Sequence, residues 1–158
     1  MSERFSTAGM TLQYAVGTSN TTPPTSGYTK IPEIKSMPNF NPAPNTIDST
    51  TLEETEYMTY VEGLKDLGGA LGYKANLTDD LMTAWTTLLS AHDTAVSQNK
   101  YVWFAIVHPS LTVSTYYIGD PAPLGLDDAA VGGMLETTLY ITPNSAPIKA
   151  AAPTPVNP

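Results

Sequence analysis

The sequence predicts an α+β fold: a mainly antiparallel β-sandwich or barrel flanked by one long α-helix. Three observations lead there. One strongly periodic helical stripe occupies residues 79–97, and short strand-like stretches lie on both sides of it. Only 14% of the 158 residues are charged. The polar remainder is supplied by Thr, Ser, Asn and Pro, which suit strands and turns better than long helices. The length suffices for one domain with a real core and is short for two.

Taken in order, MSERFSTAGM reads as an N-terminal arm (1–10), and TLQYAVG (11–17) alternates as a strand before the loop SNTTPPTSG. In YTKIPEIKS (28–36), Tyr28, Ile31 and Ile34 are interleaved with Lys30, Glu33 and Lys35. Pro32 inside it marks an edge or a bulge, because proline cannot donate to a ladder. MPNFNPAPN is irregular by its prolines, and TIDSTTL (46–52) reads as a short strand. Residues 53–69 fit neither period: as a helix the segment holds three early glutamates and ends at Gly63, and as a strand it fails. ALGYKANL (70–77) puts Leu71, Tyr73, Ala75 and Leu77 on one face.

The helix is expected from 79 to 97. Thr78 is a suitable N-cap, and Asp79 and Asp80 favour the positive end of the helix dipole. Leu81, Met82, Trp85, Leu88, Leu89, His92 and Val96 recur at helical spacing. YVWFAIVHP is the most hydrophobic run and the expected buried strand, with VSTYYIG (113–119) as its hairpin partner. An acidic loop at 120–130 and a closing strand at 131–142 follow. The Pro- and Ala-rich end, 149–158, reads as a flexible tail.

Charge and composition exclude several functions. A net charge of -8, with seven basic residues scattered along the chain, argues against a phosphate reader. Cysteine is absent, so neither a disulfide nor a thiolate metal site exists. The N-terminus has no apolar leader core, and no apolar run is long enough for a bilayer, so no membrane partner is expected. His92 sits on the helix stripe and reads as a partly buried structural residue; His108 precedes Pro109 and reads as a turn-stabilising one. HExxH, GxSxG and P-loop patterns do not occur. The acidic clusters Glu53/Glu54/Glu56, Asp79/Asp80 and Asp127/Asp128 read as solvated or capping groups. No enzyme activity, catalytic residue, metal or cofactor is expected.

Residues 51–69, TLEETEYMTYVEGLKDLGG, carry a more specific pattern: Thr-Leu, acidic residues, an aromatic, then a GLKD turn. The matching positions are Thr51, Leu52, Glu53, Tyr57, Val61, Gly63, Leu64, Lys65, Asp66 and Gly68. With the strand–helix–strand order that follows, YYIGDPAP and TTLYITPNSAPI, the chain over 11–148 resembles the tail tube (major tail) proteins of long-tailed, siphovirus-type bacteriophages. A departure is His-Pro-Ser-Leu at 108–111, where a glycine would be expected after the proline.

The resemblance implies a structural virion protein in which six copies form a ring and rings stack into a hollow tube for DNA ejection. It implies contact with copies of itself and with the tape measure, terminator and distal tail proteins, and passage of viral DNA without specific binding. The site is the virion tail, assembled in the host cytoplasm. Subunit and ring contacts would fall on Leu52, Glu53, Glu54, Tyr57, Tyr60, Val61, Leu64, Lys65 and Asp66. Aromatics beside charges suit an interface core and rim. Acids lining the bore would include Asp48, Glu62 and Glu136. Two other readings are a virion-displayed β-sandwich binding carbohydrate or cell wall and a tail terminator-like component. Trp85 and Trp103 lie in the most buried-looking elements, which disfavours sugar stacking.

Overall fold

The computed structural model describes residues 4–41, 43–67 and 69–153. In chain order these form β1 (Thr11–Gly17), β2 (Thr29–Ile31), β3 (Ile34–Ser36), β4 (Ala43–Asp48), β5 (Tyr60–Asp66), β6 (Leu71–Asn76), α1 (Asp79–Ser97), β7 (Tyr101–Val107), β8 (Val113–Pro121), β9 (Glu136–Pro143) and β10 (Ile148–Ala151). One antiparallel sheet runs β2-β1-β7-β8-β9-β6-β3, with β10 added beside β8. β4 and β5 make a separate two-stranded ribbon. The expected α+β architecture is therefore present, as a curled half-barrel with one helix.

β2 and β3 lie at opposite edges of the sheet yet are joined by Pro32 and Glu33 alone. The sheet must therefore curl until its two edges meet. The proline falls at this change of partner, where no ladder donor is needed. Glu33 takes a left-handed φ of 67°, and its carbonyl accepts from the Asn76 amide at 3.0 Å, fastening the seam to the end of β6.

β7 is buried on both faces, which explains its unbroken apolar run. Val102 and Phe104 point into the curl, whereas Trp103 and Ala105 pack on the other side. α1 fills the curl. Thr78 Oγ1 accepts from the Leu81 amide at 3.2 Å, and Leu81, Trp85, Leu88 and Ala95 are buried against Leu12, Phe104, Tyr117 and Leu139. The buried line is narrower than the expected stripe. Met82 and Val96 are exposed, because each lies one residue, about 100° of turn, past a position on that line. The Trp85 indole donates to the Ala122 carbonyl at 2.8 Å.

Tyr117 is the centre of the inner core. It stacks on Phe104 at 5.6 Å, meets Phe40 edge-on at 5.0 Å, and its hydroxyl lies 2.6 Å from that of Tyr73, both fully buried. The outer face of β7 and β8 is covered by the 18–28 loop and β10. Tyr28 packs on Tyr116, the Trp103 indole donates to the Ser19 carbonyl at 2.9 Å, and the Tyr116 hydroxyl donates to the Ala151 carbonyl at 2.6 Å. Gly17 is required here: a β-carbon would meet Pro24 at 2.8 Å and the Trp103 ring at 3.1 Å.

The structure departs from the sequence reading in four places. The strand expected over 46–52 spans Ala43–Asp48 instead, starting inside the stretch read as irregular and ending before 49–52. Tyr60–Asp66 is a strand, although its sequence shows no strand period; it belongs to a ribbon exposed on both faces, so burial imposes no alternation. The segment expected as one closing strand from 131 begins only at Glu136, after a loop. β9 is not the last strand, because Ile148–Ala151 pairs with β8; alternation in a strand this short is too brief to stand out beside alanines and prolines. Residues 154–158 of the expected tail, and 1–3 of the arm, lie outside the described residues.

Two stability outcomes follow. Leu88→Ala should cost about 2–5 kcal/mol in a urea titration, whereas Met82→Ala should stay within about 0.5 kcal/mol. Burial pushes the Tyr73 phenol up to about 12, its bond to Tyr117 acting the other way, and burial lifts the Tyr117 phenol well above its ordinary value. A folded-state pKa above the unfolded value gives stabilisation that is complete at lower pH and lost as pH rises. The urea midpoint should thus hold to about pH 9 and fall above about pH 10, the ordinary tyrosine value. Tyr73→Phe with Tyr117→Phe should remove part of that fall, and Tyr14, Tyr28 and Tyr116, whose phenols are also raised by burial, should keep the rest.

Candidate functional site

The β4–β5 ribbon gathers most of the residues expected at an interface. Its ladder pairs Asp48 with Tyr60, Ile47 with Val61 and Thr46 with Glu62, with a bulge between Pro44 and Thr46. Beyond the strands, the Ser49 amide donates to the Thr59 carbonyl at 2.9 Å, and the Thr59 amide to Thr50 Oγ1 at 2.8 Å. The tip (residues 51–58) is shaped by carboxylates. Glu54 Oε1 accepts from the amides of Glu56 and Tyr57 at 3.2 and 3.4 Å, and Asp48 Oδ1 accepts from the Thr50 amide at 2.9 Å. Bonds from Thr50 hold Asp48 below the usual carboxylate range, and the Glu56 and Tyr57 amides do the same for Glu54. These two acids stay ionised and order the loop.

The ribbon's apolar side chains have no cover. Leu52, Tyr57, Tyr60, Val61 and Leu64 are exposed, with Leu64 at 88%, and Ile47 and Met58 join them. None belongs to either core cluster. Glu53 and Lys65 are exposed beside them, and Lys65 is 3.9 Å from Glu62. The Asp66 side chain lies outside the described residues. Sequence reasoning missed Ile47 and Met58. The signal was there: Ile47 alternates with Thr46 and Asp48, but its pairing partner could not be named until 60–66 was known to be a strand.

The three acids expected along a bore are not together. Asp48 and Glu62 lie on the ribbon, whereas Glu136 begins β9 and accepts from Lys35 Nζ at 2.8 Å. A neighbouring pair joins Lys74 to Asp127 at 2.8 Å. Lys74, with a further bond from Thr138, holds the Asp127 carboxyl below its ordinary range. Of the acidic pairs read as solvated or capping, Asp127 thus has defined partners.

Both histidines tie segments together. His108 Nδ1 accepts from the Ser110 amide at 3.0 Å, leaving Nε2 to donate to the Ser6 carbonyl at 2.6 Å. The turn forms without the expected glycine, closed by the Leu111 amide on the His108 carbonyl at 3.2 Å. Glycine is needed instead at Gly9 on the arm, where φ is 84° and a β-carbon would meet Pro109 at 2.8 Å. His92 is 2.9 Å from Asp120, whose other oxygen accepts from Asn144 at 2.5 Å, so the carboxylate clasps α1 to β8 and β9. Among the described residues no group of three or more His, Asp or Glu side chains is placed to hold a metal ion. Nor is any described helix long and apolar enough to cross a membrane.

No protein-family model and no curated protein matches the sequence. Solved structures match the fold. A chain of the six-fold symmetrised anti-feeding prophage baseplate superposes with a TM-score of 0.66 at 11% identity, covering 96% of this chain and 98% of that one. A chain of the PVC sheath–tube complex, an extracellular contractile injection system in its extended state, gives 0.51 at 13%, with coverage of 89% and 88%. A chain from the virion of a native gene transfer agent particle gives 0.52 at 13%, covering 78% and 89%. This chain thus shares its fold with chains of a prophage baseplate, an injection-system sheath–tube complex and a gene transfer agent particle.

Proposed function

We propose that the protein is a structural, non-catalytic subunit of a phage-like tail, assembling with copies of itself into rings that stack as a tube for genome passage. The observation that carries this reading is the β4–β5 ribbon. An exposed ridge of leucine, tyrosine and methionine, rimmed by ordered carboxylates and left uncovered by its own domain, has the chemistry of an interface core with a polar rim. The fold shared with baseplate, sheath–tube and virion chains supports the setting, and the six-fold symmetry of one neighbour supports a hexameric ring. Contacts between unlike surfaces do not close along the axis, so rings of this kind grow into a filament. Asp48 and Glu62 are the acids we place on the bore; Glu136 would reach it only as half of an ion pair.

A second reading is favoured by one observation. The overlap with the baseplate chain is fuller than with the sheath–tube chain, 0.66 against 0.51, which supports a ring at an end of the tube rather than its repeating unit. Negative-stain microscopy separates the two: long hollow tubes support the repeating unit, single rings the terminal one. A monodisperse monomer that binds a glycan would overturn both.

Tyr57→Glu with Leu64→Glu should abolish assembly in size exclusion while shifting monomer stability by no more than about 0.5 kcal/mol, since both side chains are already in solvent.

A further inference from the structure

The two histidines of the chain answer a proton in opposite ways. His92 lies 2.9 Å from Asp120 and 3.9 Å from Asp93, so a positive charge on its ring meets carboxylates and tightens the clasp on α1. His108 has the reverse surroundings. Its ring is buried, and both nitrogens are committed to uncharged backbone groups. Nδ1 accepts from the Ser110 amide, which leaves the single ring proton on Nε2 to donate to the Ser6 carbonyl. A second proton has to sit on Nδ1, where it points at the hydrogen of that amide. Donor then faces donor, and a charge is left in a buried place.

Nothing around the ring balances that charge. Among the described residues, the arm, β1 and β7 carry no carboxylate, and Pro109, Ser110 and Leu111 are uncharged. Their titratable groups are Arg4, a like charge, and the phenols of Tyr14 and Tyr101. β10 reaches the same turn through the Ala152 amide on the Thr112 carbonyl and adds only Lys149. The one acid of β8, Asp120, sits at the far end of that strand in the His92 clasp.

The same ring anchors the N-terminal arm. Phe5 packs on it with centroids 5.6 Å apart, Ser6 bonds to it, and Gly9 fits against Pro109 because it has no β-carbon. Two further bonds, Met10 amide to Thr7 carbonyl and Ala8 amide to Ser6 Oγ, run within the arm and do not hold it to the barrel. Thr7, Gly9 and Met10 also wall an open groove of about 560 Å³ beside Ile34 and Met37 at the seam.

We propose that His108 is a proton-sensitive latch on this arm. Neutral, it pins Phe5–Gly9 to the turn between β7 and β8; protonated, it lets them go and uncovers the seam at Ile34 and Met37. Histidine changes charge between about pH 5 and 8, so release belongs to mild acid, while the His92 clasp keeps α1 in place. The device is complete in a single chain and does not depend on the assembly reading.

Arg4 is the only arginine of the chain, and a protease specific for arginine needs the residues after it free of the barrel. Cleavage after Arg4 is followed by mass spectrometry against a free peptide of residues 1–10 in the same tube, which cancels the protease's own pH dependence. The relative rate should rise several-fold from about pH 7.5 to about pH 5.5. His108→Gln should be cut fast at both values, Gly9→Ala should loosen the arm already at the higher one, and His92→Gln should keep the wild-type step. Far-UV circular dichroism separates release from unfolding; if His108→Gln unfolds, the wild-type and Gly9→Ala profiles decide. A wild-type rate that ignores pH, a step that survives in folded His108→Gln, or one that disappears with His92→Gln would overturn the latch.

Discussion

A sheet that buries both faces needs two covers, and this chain has one long helix. That constraint organises the rest of the barrel. α1 occupies the inner face, where Leu81, Trp85 and Leu88 close on Tyr117 and Phe104. The outer face of β7 and β8 must then be covered by whatever remains, which is the proline-containing 18–28 loop and β10. Burial on this scale brings polar atoms with it, and most are matched within the barrel: the phenols of Tyr73 and Tyr117 with each other, both indoles with carbonyls, and the Tyr116 hydroxyl with the Ala151 carbonyl. An unmatched buried hydroxyl costs about 1–3 kcal/mol, so these pairings fix which cover goes on which face.

The ribbon's side chains take no part in the core on either face of the sheet. Ile47, Leu52, Tyr57 and Leu64 are left in solvent on a two-stranded element, a form marginal by itself in water. Its own polar groups hold it instead: Thr50 on Thr59, Asp48 on Thr50, Glu54 on the tip amides. Acids that would otherwise read as surface charge therefore have a structural task, keeping an uncovered apolar ridge in one shape.

Legibility followed burial. Elements with one or two buried faces were readable in outline: β1, β6, β7 and α1 all declare themselves by alternation, apolar runs or helical period. The helix boundaries could be placed because Thr78 caps one end, although Met82 and Val96 seemed part of a stripe that tertiary contact narrows. Where burial is absent the pattern is absent too. β5 has no period because neither of its faces meets the core, and β10 is too short to show one. The candidate site was located by a resemblance over 51–69 and by its mixture of aromatics and acids. Its pairing with β4 was hidden, since cross-strand register depends on a partner whose own sequence is equally unpatterned.

The separation of ribbon from barrel also has an evolutionary meaning. Substitutions at Leu52, Tyr57 or Leu64 remove no buried contact, so selection for folding does not see them, while residues such as Tyr73, Trp103 and Tyr117 are fixed by packing. The two sets can drift at different rates and under different pressures. The ribbon's surface can thus be rewritten without disturbing the barrel's packing.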